Sequence, residues 1–156
     1  MYIKDIFTKE EFEEAIANVI AAREAQVGRI NQMINVKYVD CDIENQEIWF
    51  EYPIYEWELN PFDALHGGLS ATMADYAMGV CAFALGTSEK VGGSYTLTIN
   101  MGISYLKPTP MGNNVLAKVK VTSVGRSVLT FLCELYVKET EELTITANAT
   151  FKVLRK

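Results

Sequence analysis

Residues 66–86 read HGGLSATMADYAMGVCAFALG, and the rest of the chain is understood by asking what could surround such a segment. Leu69, Met73, Tyr76, Ala77, Val80, Cys81 and Ala84 recur at helical spacing, and the residues between them are also mostly small or apolar. A helix that is apolar nearly all round belongs inside a protein, so this one calls for a layer wrapped about it. Gly86 is placed to end it. Two features resist a purely structural reading: the only histidine stands beside a glycine pair, and a single carboxylate, Asp75, interrupts the apolar run.

The wrapping layer is legible on the C-terminal side. Tyr95, Leu97, Ile99, Met101, Ile103 and Tyr105 alternate with Ser94, Thr96, Thr98, Asn100, Gly102 and Ser104, a period of two that predicts a long half-buried strand. Val115 to Val124 alternates likewise, Gly125-Arg126-Ser127 makes a tight turn, Val128 to Val137 is more uniformly apolar, and Leu143 to Leu154 alternates again. Short turns between consecutive strands imply antiparallel pairing. On the N-terminal side, Phe12, Ile16, Val19, Ile20, Val27 and Ile30 predict an amphipathic helix from Lys9 to about Asn31, with Thr8 and Glu11 as its capping box. Strands are expected at about Val36 to Ile43 and Glu47 to Pro53, joined by Glu44-Asn45-Gln46, and Asn60-Pro61-Phe62-Asp63 reads as a loop. The sum is an α+β chain: about six antiparallel strands around one long helix, with an additional N-terminal helix outside.

The chain has 156 residues, 49% hydrophobic and 22% charged, which suits one domain with a full core. Its net charge of −6 with only 14 Lys and Arg lacks the basic footprint of a nucleic-acid binder. Cys41, Cys81 and Cys133 are odd in number, far apart and set among apolar neighbours, which favours buried reduced thiols over a disulfide framework. The first residues turn acidic without a secretory apolar region, and the longest apolar run, Ala77 to Leu85, is short for a membrane span. A cytoplasmic protein with no membrane partner is expected, and Asn148-Ala149-Thr150 then matches a glycosylation acceptor only by chance.

Any Ser-His-Asp or Cys-His catalytic group would have to use His66, whose setting before two glycines carries no nucleophile signature. Zinc-ligand clusters, a Walker loop and a dinucleotide fingerprint are all missing, so no metal or organic cofactor is expected. Glycines at a helix start let backbone N–H groups approach a ligand, and those donors with the helix dipole can hold a carbonyl oxygen gaining negative charge. Two turns on, Asp75 among Met73, Ala74, Tyr76 and Ala77 could serve as base or nucleophile. The same residues also have a plainer reading, in which the glycines allow a tight turn into a packed helix, His66 caps it, Asp75 bonds a strand and Asn60 shapes a turn.

The run Asn60-Pro61-Phe62-Asp63-Ala64-Leu65-His66-Gly67-Gly68, with Asp75 after it and the Thr96-to-Tyr105 strand ending in Leu106-Lys107-Pro108, resembles the hotdog-fold acyl-CoA thioesterases. The PaaI-like branch, related to 4-hydroxybenzoyl-CoA thioesterases, is the nearest in pattern. The resemblance covers about Val36 to Val153 and implies a hotdog fold: a curved antiparallel sheet wrapped around a central helix. Residues 1–156 would then be one hotdog domain, with 1–35 a helical extension and 36–154 the hotdog core.

The resemblance also implies roles. Gly67 would give its N–H to the thioester carbonyl, Asp75 would activate water or attack the carbonyl, and Asn60 would help hold the carbonyl or the water. His66 matches the histidine before the oxyanion glycine, and Thr98 the hydroxyl that orients water. Where the family loop often has glycine, this chain has Asp63. The substrate would be an acyl-CoA, with coenzyme A part of the substrate rather than a cofactor.

Asp75 lies eight residues beyond Gly67, which at about 1.5 Å per residue is roughly 12 Å of helix, too far for both to reach one carbonyl carbon. The two groups are therefore expected from different subunits of a two-fold homodimer, or of a homotetramer built as a dimer of dimers. For the phosphates of coenzyme A, Arg126 is the preferred contact, with Lys107 and Lys90 as other basic residues and Gly68 as a further substrate-binding position. The rival functions are a non-catalytic acyl-CoA-binding protein, a hotdog dehydratase and an oligomeric structural protein with a degenerate pocket. Asp75 speaks for hydrolysis, and the dehydratase branch's histidine followed by Phe-Pro is missing.

Overall fold

The apolar stretch forms one helix, α3 (Gly67–Gly86), and a six-stranded antiparallel sheet curves around it. The computed structural model describes residues 1–156. The strands are β1 (Lys37–Asp42), β2 (Glu47–Tyr52), β3 (Tyr95–Tyr105), β4 (Val115–Val124), β5 (Val128–Val137) and β6 (Leu143–Leu154). Their order across the sheet is β1-β2-β4-β5-β6-β3, so β1 and β3 are the edges. This is the hotdog arrangement. By length and apolarity α3 could cross a membrane, yet here it is the central helix and most of it is buried against the sheet.

One continuous apolar cluster runs from Ile3 and Phe12 through Met73, Cys81 and Leu85 to Phe131 and Phe151. Phe131 and Phe151 meet edge to face with centroids 5.5 Å apart, and the buried Tyr52 hydroxyl donates to the Met73 carbonyl at 2.9 Å, tying β2 to the middle of α3. Gly86 is required where it stands: a methyl there would come within 2.5 Å of the Thr96 side chain. Burial of Cys81 and Cys133 inside the cluster pushes both thiols up, Cys133 to about 12, so neither is a thiolate nucleophile at neutral pH.

The N-terminal helix is shorter than its periodicity predicts. α1 (Lys9–Glu24) starts at the expected capping box, in which Thr8 Oγ1 accepts from the Glu11 N–H and the Glu11 carboxylate accepts from the Thr8 N–H. It buries Phe12, Ile16 and Val19, then stops. Gly28 takes φ +82°, the left-handed backbone that breaks a helix, and a single turn, α2 (Ile30–Met33), follows. Val27 is 84% exposed in consequence.

The second difference lies in β3. Its alternation reads as one uninterrupted strand, but the register to β6 slips between Thr98 and Asn100, leaving Ile99 as the extra residue of a β-bulge. Before the bulge the threonines face α3; after it Met101, Ile103 and Tyr105 do. Leu97 and Ile99 are left 53% and 59% exposed, where a half-buried strand is expected.

Candidate active site

The first turn of α3 is held by the loop in front of it. Asn60 Oδ1 accepts from the N–H groups of Phe62 and Ala64, at 2.9 and 3.2 Å, closing the loop on its own side chain. The His66 N–H donates to the Glu58 carbonyl at 2.8 Å, and the Leu65 N–H to that of Thr109 at 2.9 Å. Asp63 sits at φ +58°. That is a conformation glycine takes freely and Asp tolerates, so Asp63 holds a position of the kind glycine favours.

His66 is the N-cap of α3: its Nδ1 accepts from the Gly68 N–H at 2.9 Å, which leaves the ring proton on Nε2. The N–H groups of Leu69 and Ser70 both donate to the His66 carbonyl. The Ser70 bond is the first of the helix ladder; of the four N–H groups before it, those of His66, Gly68 and Leu69 are satisfied by Glu58 and His66, and only that of Gly67 has no partner. Close approach is built in: a methyl on Gly67 would lie 3.2 Å from the Tyr105 ring, whose hydroxyl donates to the Gly67 carbonyl at 2.9 Å. Gly67 and Asn60 line a cavity of about 300 Å³ together with Ser70, Lys107 and Thr109.

Two turns along, Asp75 is half-buried and its Oδ1 accepts from Thr98 Oγ1 at 2.7 Å. This bond fixes one carboxylate oxygen and leaves Oδ2 without a partner in the chain. Asp75 and Thr98 line a different cavity, of about 250 Å³, with Arg23, Tyr76, Val80 and Phe83. The β3 bulge makes both halves possible. Thr98 and Tyr105 have opposite parity in the sequence, yet each bonds to α3, because the extra residue between them reverses the alternation.

The structure thus gathers Asn60, His66, Gly67 and Gly68 at the helix start, and Asp75 with Thr98 elsewhere; it does not bring the two sets into one cavity. Gly68 spends its N–H on His66. Lys107 is near Gly67 but already pairs with Glu142 at 2.9 Å on the surface. Arg126 lies apart from both sets, in a third cavity with Lys90 and Arg155. No three His, Cys, Asp or Glu side chains come close enough to hold a metal ion.

Two participants are not announced by the sequence. Tyr105 reads as an alternating residue of a strand but packs on Gly67 and bonds its carbonyl. Glu58 is fully buried: its Oε1 accepts from the Tyr55 N–H at 2.6 Å, its Oε2 has no partner, and burial raises its pKa above the usual carboxylate value. Only a lone acid between Trp57 and Leu59 hinted at it.

A profile of the Thioesterase superfamily matches residues 62–144, more than half of the chain and the part that carries His66, Gly67, Asp75 and Thr98. The chain belongs to the thioesterase superfamily. Human acyl-coenzyme A thioesterase 13 is 28% identical over 93 residues, 60% of this chain and 63% of that protein, so the match spans under two thirds of the relative's length. Among solved structures, the Escherichia coli PaaI protein from the phenylacetic acid degradation operon superposes with a TM-score of 0.75 at 14% identity, covering 94% of this chain and 95% of that one. A Streptococcus mutans protein solved bound to acetyl CoA gives 0.67 at 20% identity, over 84% and 99%. Both likenesses are likenesses of fold. The hotdog arrangement described above is the one they share.

Proposed function

We propose that this thioesterase-superfamily protein is an acyl-CoA thioesterase whose site forms where two copies pair through β3. The observation that carries the reading is the pair of incomplete halves: one free N–H, at Gly67, and one carboxylate with a free oxygen, at Asp75, set in separate cavities of a single chain. β3 is an edge strand, and Tyr105 at one end of it touches Gly67 while Thr98 towards the other touches Asp75. Two such strands running antiparallel about a two-fold near Met101 and Gly102 bring Tyr105 of one copy opposite Thr98 of its partner. The Gly67 half of one subunit then meets the Asp75 half of the other.

At such a site the thioester carbonyl oxygen accepts from the Gly67 N–H and, beside it, from the amide nitrogen of Asn60, whose Oδ1 is committed to its own loop. Water gives a proton to Asp75 and its oxygen bonds to the carbonyl carbon; the C=O electrons move onto oxygen, where the N–H and the positive end of α3 stabilise them. On collapse the C–S bond breaks, and the departing CoA thiolate takes the proton from Asp75, leaving acid and CoA. If Asp75 attacks directly, a mixed anhydride forms as CoA leaves and water cleaves it to the same products. Thr98 holds the carboxylate in either route, and His66 orients the first turn by capping it. We read residues 1–156 as one domain, with 1–35 an extension packed on the core, in a protein of the cytoplasm, where three buried thiols stay reduced.

The test is release of free thiol from aliphatic and aromatic acyl-CoA esters by the wild type and by Asp75→Asn. Turnover that collapses in the folded variant supports the reading. No turnover on any ester, with acyl-CoA still bound, overturns it in favour of a binding protein.

A further inference from the structure

The cavity that holds Asp75 has a second wall that hydrolysis does not use. Arg23 from the last turn of α1, Asn31 from α2 and Tyr76 from α3 line it opposite Thr98. The Arg23 guanidinium stacks over the Phe83 ring at 5.1 Å, and it takes part in none of the ion pairs of the chain. Tyr76 is 94% buried, counting from its 6% exposure, and its hydroxyl has no hydrogen-bond partner. Burial raises this phenol to about 12, so at neutral pH it remains a donor, close enough to Arg23 to feel its charge.

A buried hydroxyl without a partner is destabilising, and a half-buried arginine without a carboxylate is unusual in a chain of net charge −6. Both are donors. What they lack is an acceptor, and a planar guanidinium matches a carboxylate with two parallel hydrogen bonds. Arg23 is the only cation lining this cavity and Asp75 the only anion. A ligand that presents its thioester carbon to Asp75 and a carboxylate to Arg23 would complement both.

The far side of Arg23 adds a limit. Val19, Arg23 and Phe83 also border a larger cavity, of about 680 Å³, that runs between α1 and α3 past Phe7 and Ala15 and does not reach Asp75. The stacked pair Arg23 and Phe83 borders both spaces. A long plain alkyl chain would have to pass a charged group to use the second.

We propose that Arg23 and the Tyr76 hydroxyl determine specificity, selecting acyl groups that end in a carboxylate, that is, CoA half-esters of short dicarboxylic acids. The proposal rests on the hydrolytic reading for what happens to the ligand, but not for its recognition.

Recognition is therefore tested without turnover. Two non-hydrolysable CoA thioethers of equal length, one ending in a carboxylate and one in a methyl group, are titrated calorimetrically into the wild type, Arg23→Met and Tyr76→Phe. The wild type should bind the carboxylate form about tenfold or more tightly over the methyl form, as a charge-assisted bidentate pair warrants. Arg23→Met, which keeps the apolar stem, should remove the preference; Tyr76→Phe should reduce it by about tenfold, the share of one hydrogen bond to a charged acceptor. Equal wild-type affinities, a preference that survives Arg23→Met, or no binding of either thioether would overturn the proposal. Carboxylate selection in binding, with no hydrolysis of the corresponding thioester, would uphold it and sink the thioesterase reading instead.

Discussion

The two edges of the sheet are built in opposite ways. β1 is six residues long, breaks register between Tyr38 and Asp40, and carries Lys37, Asp40 and Asp42. Each edge carries a bulge, but charge and brevity are devices by which an edge strand refuses a partner, and only β1 has them. β3 is eleven residues long, has no charged residue from Tyr95 to Tyr105, and exposes Tyr95, Leu97, Ile99 and Tyr105. One edge is closed to pairing and the other is left open to it. The open edge is also the strand that touches both halves of the candidate site. The proposed association and the proposed chemistry thus meet in one strand.

The largest effect expected from breaking this contrast comes from charging the open edge. Ile99→Lys should give a monomer in light scattering, and its thioester hydrolysis should fall by at least about a hundredfold, since the oxyanion donor would be withdrawn from the carboxylate. Val39→Lys, at the exposed edge strand β1, should change neither. A dimeric, active Ile99→Lys would show that β3 is not the interface.

Next in size is a complementation test. Gly67→Pro deletes the free N–H at a helix position that accepts proline, after a His66 backbone already extended at ψ 133°, provided the Tyr105 ring yields by a few tenths of an ångström. Alone it should cost about 10²–10³ in kcat, and Asp75→Asn about 10²–10⁴. Mixed in equal amounts and allowed to exchange subunits, the two inactive proteins should recover about a quarter of wild-type activity, because half the dimers are mixed and each mixed dimer has one intact site. If both groups served the same chain's site, no activity would return.

How much of this was open to sequence reading depends on range. The central helix, its cap, the N-terminal capping box and the spacing of Asn60, Gly67 and Asp75 are local patterns, and local patterns are written in the order of residues. The roughly 12 Å of helix between Gly67 and Asp75 also follows from spacing alone, and it is one ground for the two-subunit proposal. The β3 bulge was not legible, because a single extra residue leaves a two-residue period looking intact while it turns Thr98 and Tyr105 to the same side. The early end of α1 was missed for a related reason: Val27 and Ile30 keep the helical spacing, and only the left-handed Gly28 between them breaks it. Arg23 beside Tyr76 is a meeting of two helices, which no period within either one encodes.

A smaller effect separates the two halves of the site. Thr98→Val removes the hydrogen bond to Asp75 Oδ1 and nothing from the Gly67 half. A hydrogen bond to a charged group is worth about 1.5–3 kcal/mol, so kcat should fall about 10- to 150-fold, while oligomeric state and ligand affinity stay as they are. An unchanged kcat would mean that Thr98 does not hold the carboxylate in the working geometry.

The smallest effect belongs to the loop behind Gly67, and it is one of stability rather than association. Glu58 is fully buried, bonds the Tyr55 N–H through one oxygen, leaves the other bare, and supports His66 through its own carbonyl. Burial raises its pKa above the ordinary value of 4.5, so the folded chain holds a proton that the unfolded chain has already released. The folded state then binds more protons than the unfolded one between those two values, and stability from this group falls as pH rises through that window. Glu58→Gln keeps the bond to Tyr55 and has no charge to bury. The variant should match the wild type in acid, below the ordinary carboxylate range, and exceed it in Tm at pH 7. Taking the difference between variant and wild type cancels carboxylates such as Asp42 and Glu51, whose hydrogen bonds lower their pKa and make them lose stability in acid. A difference that is flat from pH 4 to 7 would mean that Glu58 finds a partner for its second oxygen when ionised, and that this loop is held by a charge rather than in spite of one.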